Sequence, residues 1–156
     1  MIGKRILDVC CGSKCFYFDK HNPEVLFCDC RRESRRIQGN RTCVVDPDEI
    51  HDFRDLPKEW GGTFDLVVFD PPHLLRAGES GWLFAKYGRL NATWKEDLKK
   101  GFSECWRCLR AGGTLIFKWN EDQIPVSEVL KLAPAKPLLG NRSGQKTHWI
   151  VFYKGN

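Results

Sequence analysis

The 156-residue chain has no apolar run long enough to cross a bilayer, which takes roughly 20 residues. Its opening stretch, "MIGKRILDVCCG", is too short for a signal peptide and runs straight into structured sequence. A soluble cytoplasmic protein is therefore expected. Internal repeats, linkers and low-complexity stretches are absent, and the length favours one domain spanning residues 1–156 with a sizeable core. Charge of one sign is not in great excess: 25 basic against 20 acidic residues give +5. That balance is compatible with a polyanionic partner without demanding one.

Cysteine, by contrast, is abundant, with eight residues. Without a secretory signal, disulfides are the weaker reading. Cys28-Asp29-Cys30 and Cys105-Trp106-Arg107-Cys108 could be halves of a zinc site. The pairs lack regular spacing, however, and cysteines at i and i+3 share a helix face without any metal. Small buried hydrophobes are the main reading, and no metal site is expected.

Five apolar runs read as strands: 5–10, 24–29, 41–46, 64–70 and 113–119. They are apolar on both faces, the pattern of parallel strands covered by helices. A helix is expected from Thr93 to Leu109, where Trp94, Leu98, Phe102, Cys105 and Leu109 recur at three and four. A shorter one is expected over 125–133, with Pro125 in its first turn. The crossovers at 14–22 and 31–40 leave room for about two helical turns each. Residues 136–140 and 146–154 flank a Gly-containing loop and read as a closing antiparallel hairpin. Residues 74–90 show no steady period, and either a functional loop or a short helix with turns fits them. The fold class that follows is α/β, with a mostly parallel sheet of about seven strands and helices on both faces.

In open parallel sheets, ligands bind beyond the C-terminal ends of the strands. Here the first tip carries Gly12, a lone glycine rather than a Gly-x-Gly-x-x-Gly, able to turn tightly beside a ligand. Asp29, at the second tip, stands 21 residues after Asp8 and can accept hydrogen bonds from both hydroxyls of a ribose. Asp52 could hold an exocyclic adenine amine or cap its own turn, and Phe53 could stack. The fourth strand ends in Asp70-Pro71-Pro72-His73.

That order of groups, with "DPPH" closing an apolar strand, resembles the class I S-adenosylmethionine-dependent methyltransferases. Within them it is similar to enzymes bearing Asp/Asn-Pro-Pro-aromatic, which methylate amino nitrogens, chiefly N6 of adenine. The resemblance covers about residues 4–154 and extends to small, often phage-encoded members built from the catalytic domain alone. It implies a Rossmann-like methyltransferase fold and S-adenosylmethionine as cofactor. Asp8, Cys10, Gly12 and the Ser13-Lys14 backbone would line the methionine end of that cofactor. Asp29 would hold its ribose, and Asp52 and Phe53 its adenine. Asp70 and the Pro71 carbonyl would receive the substrate amine, with Pro72 and His73 completing the motif. Two positions depart from the pattern. Lys14 replaces a usual glycine and could bind the cofactor carboxylate or point to solvent. His73 replaces an aromatic residue and could hydrogen-bond rather than stack.

An aryl amine is a poor nucleophile because its lone pair is delocalised. Two acceptors, Asp70 and a carbonyl, would favour a pyramidal nitrogen whose lone pair faces the methyl donor. The prolines cannot continue the strand, and they fix that carbonyl. The expected function is N-methylation of a nucleic-acid base in DNA or RNA, with adenine N6 first. Methylation of a small molecule or protein amide is an alternative, as is a non-catalytic nucleic-acid-binding protein on this fold. No separate target-recognition domain is visible, so a recognition partner or a second copy would supply missing surface. Arg31, Arg32, Arg35 and Arg36 could grip phosphates or form a solvated helix face. Trp82 and Tyr87 could stack in a lid or anchor the core.

Overall fold

The computed structural model describes residues 3–37, 40–76, 84–85 and 88–156, with the side chain of Ile37 outside the description. The N-terminal half contributes β1 (Ile6–Asp8), β2 (Val25–Asp29), β3 (Glu33–Ile37), β4 (Arg41–Val45), β5 (Glu49–Ile50) and β6 (Phe64–Phe69). After these come α1 (Trp94–Cys108), β7 (Leu109–Asn120), α2 (Val126–Leu130), β8 (Leu139–Ser143) and β9 (Thr147–Tyr153). One seven-stranded sheet has the order β5-β2-β1-β6-β7-β9-β8. Its first five strands run parallel, and β9 and β8 join β7 as antiparallel neighbours. The expected mixed sheet with a closing hairpin is thus present.

The central strands are buried because both their faces are apolar. All of β2 is buried, and Leu7, Val67, Phe69, Leu115 and Phe117 are at most 1% exposed. They pack with Leu98, Phe102 and Cys105 of α1 and Val129 of α2 in one cluster. A second, smaller cluster of Cys11, Val25 and Phe27, with Ile6 and Tyr17 against it, lies on the other side of β1 and β2. Helices were expected on both faces. Among the described residues both α-helices pack in the larger cluster, while the 11–22 loop supports the smaller one. That crossover is used up by successive turns, and Lys14 sits there at φ 54, outside the helical region. A hollow of about 430 Å³ on this side is lined by Phe16, Tyr17, Phe18, Leu66, Val68, Ile116 and Trp149.

A second correction concerns the third strand. Residues 41–45 do form a strand, but it pairs antiparallel with β3 in a separate two-stranded hairpin. Its burial alternates, with Cys43 and Val45 buried and Arg41, Thr42 and Val44 exposed, so it has one apolar face rather than two. The main sheet takes its edge strand instead from Glu49–Ile50, paired with the end of β2. The arginine run at 31–36 lies on the approach to this hairpin and along β3, not on a helix. Of the 74–90 segment, residues 77–83 and 86–87, including Trp82 and Tyr87, lie outside the described residues.

Candidate active site

The C-terminal tips of β1, β2 and β6 surround a cavity of about 480 Å³, within the range of small-molecule sites. Of the residues singled out by sequence, Cys10, Gly12, Ser13, Asp29, Phe53, Asp70 and Pro72 line it. Asp8, Lys14, Asp52, Pro71 and His73 do not.

Asp8 ends β1 and is fully buried. Its Oδ1 accepts the Cys10 amide at 3.1 Å. Its Oδ2 is buried facing the Tyr17 hydroxyl, which interacts with this carboxylate by hydrogen bonding and charge. Burial pushes Asp8 up to about 7, and the negative charges of Asp70 and Asp29 add to the effect. The following loop turns through Gly12 at φ 49, where a side chain would be strained. Lys14, at a position the resemblance gives to glycine, also holds positive φ, tied by its amide to the Cys11 carbonyl at 2.8 Å. Its ammonium turns away from the cavity onto the Phe27 ring, 4.1 Å from the centroid.

Asp29 ties this loop to the second tip. Its Oδ2 accepts the Gly12 amide at 2.9 Å, and Oδ1 accepts the Arg31 amide at 3.0 Å and Arg31 Nε at 3.3 Å. A carboxylate with this many donors is fixed in place and keeps its oxygens at the cavity wall. Phe53 comes from the loop after β5. Arg54 holds that loop, binding Asp52 through Nε and Nη2 and Asp97 of α1 through Nη1. The Arg54 guanidinium keeps the Asp52 carboxyl below its usual range. Gly101 in α1 makes the room for Phe53: a Cβ there would lie 2.6 Å from the Phe53 ring and 2.7 Å from that of Phe69.

Asp70 follows β6, and its Oδ2 accepts Lys118 Nζ at 2.7 Å. The pair is mostly buried, with side-chain exposures of 12% and 17%. Lys118 lies on β7, next to Phe117, which is in register with Phe69 of β6. Its ammonium also lies 5.3 Å from the Phe16 ring centroid and 5.7 Å from that of Trp149. Sequence reasoning missed this residue. The available signal was the single cation in the apolar run 113–119. Pro71 is buried behind the cavity wall, and Pro72 faces the cavity. His73 is 8% exposed and meets Trp119 edge to face at 6.3 Å. Burial first, and then the Lys118 charge, lowers it to about 4, so it is a neutral imidazole at pH 7.

All eight cysteines are free thiols, and Cys105 and Cys108 lie in the core, where burial pushes both up. Among the described residues, no group of three or more His, Cys, Asp or Glu side chains is placed to hold a metal ion. None of the helices they form is long and apolar enough to cross a membrane.

No family model and no curated protein matches the chain. Solved structures do. The PH0226 protein from Pyrococcus horikoshii OT3 superposes with a TM-score of 0.61 at 18% identity, over 99% of this chain and 84% of that one. The antibiotic-resistance methyltransferase Kmr gives 0.54 at 16% identity, over 99% and 89%. A T. thermophilus methyltransferase acting on a guanosine N2 of 16S rRNA, solved with AdoMet and guanosine, gives 0.54 at 18% identity, over 100% of this chain and 36% of that one. The sheet order and these likenesses together make the fold that of the Rossmann-like methyltransferases.

Proposed function

We propose that the protein is an S-adenosylmethionine-dependent N-methyltransferase acting on an exocyclic amine of a nucleic-acid base, adenine N6 first. The observation that carries this reading is that Asp70 and Pro72 face the same cavity as Asp29, Phe53 and the Gly12 loop. The residues fit the cofactor. Asp29 presents fixed oxygens suited to vicinal hydroxyls, and Phe53 offers an apolar face to a purine. Asp8 anchors, through the Cys10 amide, the loop that would take the amino-acid end. The bound cofactor supplies an electrophilic methyl on a sulfonium.

The chain's own residues do the rest. Asp70, at the cavity wall, accepts an N–H of the amine, which aims the nitrogen lone pair out of the base plane. Lys118 holds Asp70 in one orientation. Pro72 closes the turn against the cavity. Such orientation can account for several kcal/mol, up to roughly 7–11 in favourable cases. The reading takes residues 1–156 as one catalytic domain. Likeness to the rRNA guanosine methyltransferase favours a nucleic-acid substrate over a small metabolite.

The test is calorimetric titration of S-adenosylmethionine into the wild type and Asp29→Ala, followed by labelled-methyl transfer to DNA, RNA and free nucleosides. Wild-type binding, loss of at least tenfold in affinity in Asp29→Ala, and transfer abolished by Asp70→Ala are expected. A folded wild type that does not bind the cofactor refutes the assignment.

A further inference from the structure

Five arginines fall within residues 31–41: Arg31, Arg32, Arg35, Arg36 and Arg41. They sit on and just before the β3–β4 hairpin, which stands apart from the main sheet. The hairpin has two distinct faces. Glu33, Arg35, Cys43 and Val45 pair on the face that turns toward the cavity, where Glu33 and Arg35 are part of the lining and Cys43 and Val45 are buried. Ser34, Arg36, Thr42 and Val44 pair on the other, solvent-facing side.

The arginines divide in the same way. Arg31 supports Asp29 and also donates to the Ala85 carbonyl at 3.3 Å. Arg32 donates to the Pro47 carbonyl at 2.6 Å and pairs with Asp46. These two hold the hairpin at the cavity mouth. Arg35 reaches the Phe84 ring at 5.7 Å, and Arg89 approaches the same ring at 6.0 Å from the opposite strand of chain. All three line the cavity. Arg36 lies on the solvent-facing side, and Arg41, paired with Ile37 in the register of the other face, is nonetheless exposed where the hairpin ends. Arg36 makes one weak contact, to Asn40 Oδ1 at 3.3 Å.

We infer that the β3–β4 hairpin is the strand-gripping element for a polynucleotide, holding backbone phosphates while one base enters the cavity. The inference rests on the proposed function. Arg36 and Arg41 are one step apart across the hairpin's register, close enough for their long side chains to reach consecutive phosphates of one strand. Guanidinium forks suit phosphate oxygens bidentately. The Arg35–Phe84–Arg89 group at the mouth presents planar cations and a ring, surfaces on which a base stacks regardless of sequence. The hairpin thereby provides surface that a lone catalytic domain otherwise lacks.

Binding of a fluorescein-labelled 15-nucleotide RNA, and of its DNA counterpart, would be followed by anisotropy between 50 and 300 mM NaCl. The proteins compared are wild type, the double variant Arg36→Ala/Arg41→Ala and the charge-preserving Arg36→Lys/Arg41→Lys. Unchanged S-adenosylmethionine affinity in both variants verifies their fold. The slope of log affinity against log salt should flatten by about 1.4 in the alanine pair, at about 0.7 per single-strand phosphate lost. The lysine pair should keep the wild-type slope. Polyglutamate should compete at least tenfold less well than unlabelled RNA. Equal slopes in wild type and alanine pair, alongside methyl transfer to nucleic acid, overturn the hairpin's role and leave the enzyme assignment intact. Cofactor binding without nucleic-acid binding or methylation overturns both. Polyglutamate matching RNA overturns the inference in favour of an acidic protein partner.

Discussion

Asp8 is a carboxyl that folding makes harder to ionise. Its folded value of about 7 lies above its ordinary 3.8, so between those limits the unfolded chain has lost a proton that the folded chain keeps. Stability therefore falls as pH rises from about 4 to about 7, by roughly 4 kcal/mol from this group at about 1.4 per pH unit. His73 acts oppositely: its folded value of about 4 lies below 6.5, so it adds stability as pH rises across that window. Asp8→Asn isolates the first effect. Urea denaturation should find the variant's stability rising from pH 4.5 to 7 more than wild type does; parallel curves would show that Asp8 ionises normally. Lys118 is the residue-scale test of the chemistry. Lys118→Met leaves Asp70 without its 2.7 Å partner, and misorientation of a positioned group can cost about 100-fold in kcat. Lys118→Arg, which keeps a cation at that point, should retain most of the activity; an equal loss of kcat in both variants would make Lys118 merely structural. Asp29 and Asp70 could be placed at the cavity because a strand tip in a parallel sheet announces what it exposes, whereas Phe53 was reached through residues 41–46, which do not enter that sheet. Lys118 was missed, because a single lysine in "GTLIFKW" reads equally well as an outward strand position.

At the scale of elements, α1 carries a glycine where helix propensity alone would prefer alanine by about 1 kcal/mol. Gly101 is kept because a Cβ would enter the rings of Phe53 and Phe69. Gly101→Ala should push Phe53 from the cavity wall and weaken S-adenosylmethionine binding at least fivefold by calorimetry. Overpacking should cost about 1–3 kcal/mol in stability despite the better helix former. Unchanged affinity would remove Phe53 from the binding surface. Helix α1 was predictable to within a residue at each end, since five apolar positions recur at helical spacing. Strands β2 and β6 were equally plain as unbroken apolar runs. The β3–β4 hairpin was hidden, because four arginines within six residues look like a helix's solvated face and because "RTCVV" is apolar enough to suggest a central strand. Only burial on alternate residues, visible once folded, separates the two. The edge strand β5, two residues long, has no periodicity to read.

For the molecule as a whole, the longest strand of the sheet comes from the C-terminal half of the sequence. Strand β7 has 12 residues and lies between β6 and β9, its neighbours before and after α1 and α2, whereas β1 contributes only three residues between β2 and β6. Loops that close over short sequence distances cost less entropy, so the local pairs β1–β2 and β7–β9 are favoured to form before β6 joins them, since β6 pairs with more distant segments on both sides. Pulse-labelled hydrogen exchange during refolding should find the amides of β1–β2 and β7–β9 protected before those of β6; simultaneous protection would mean a single cooperative step. The cavity needs the tips of β1, β2 and β6 together, so it belongs to the last stage of assembly. Competence to bind a ligand should then lag behind the appearance of the sheet, and a ligand present during refolding should leave the early phase untouched while slowing the reopening of the N-terminal strands.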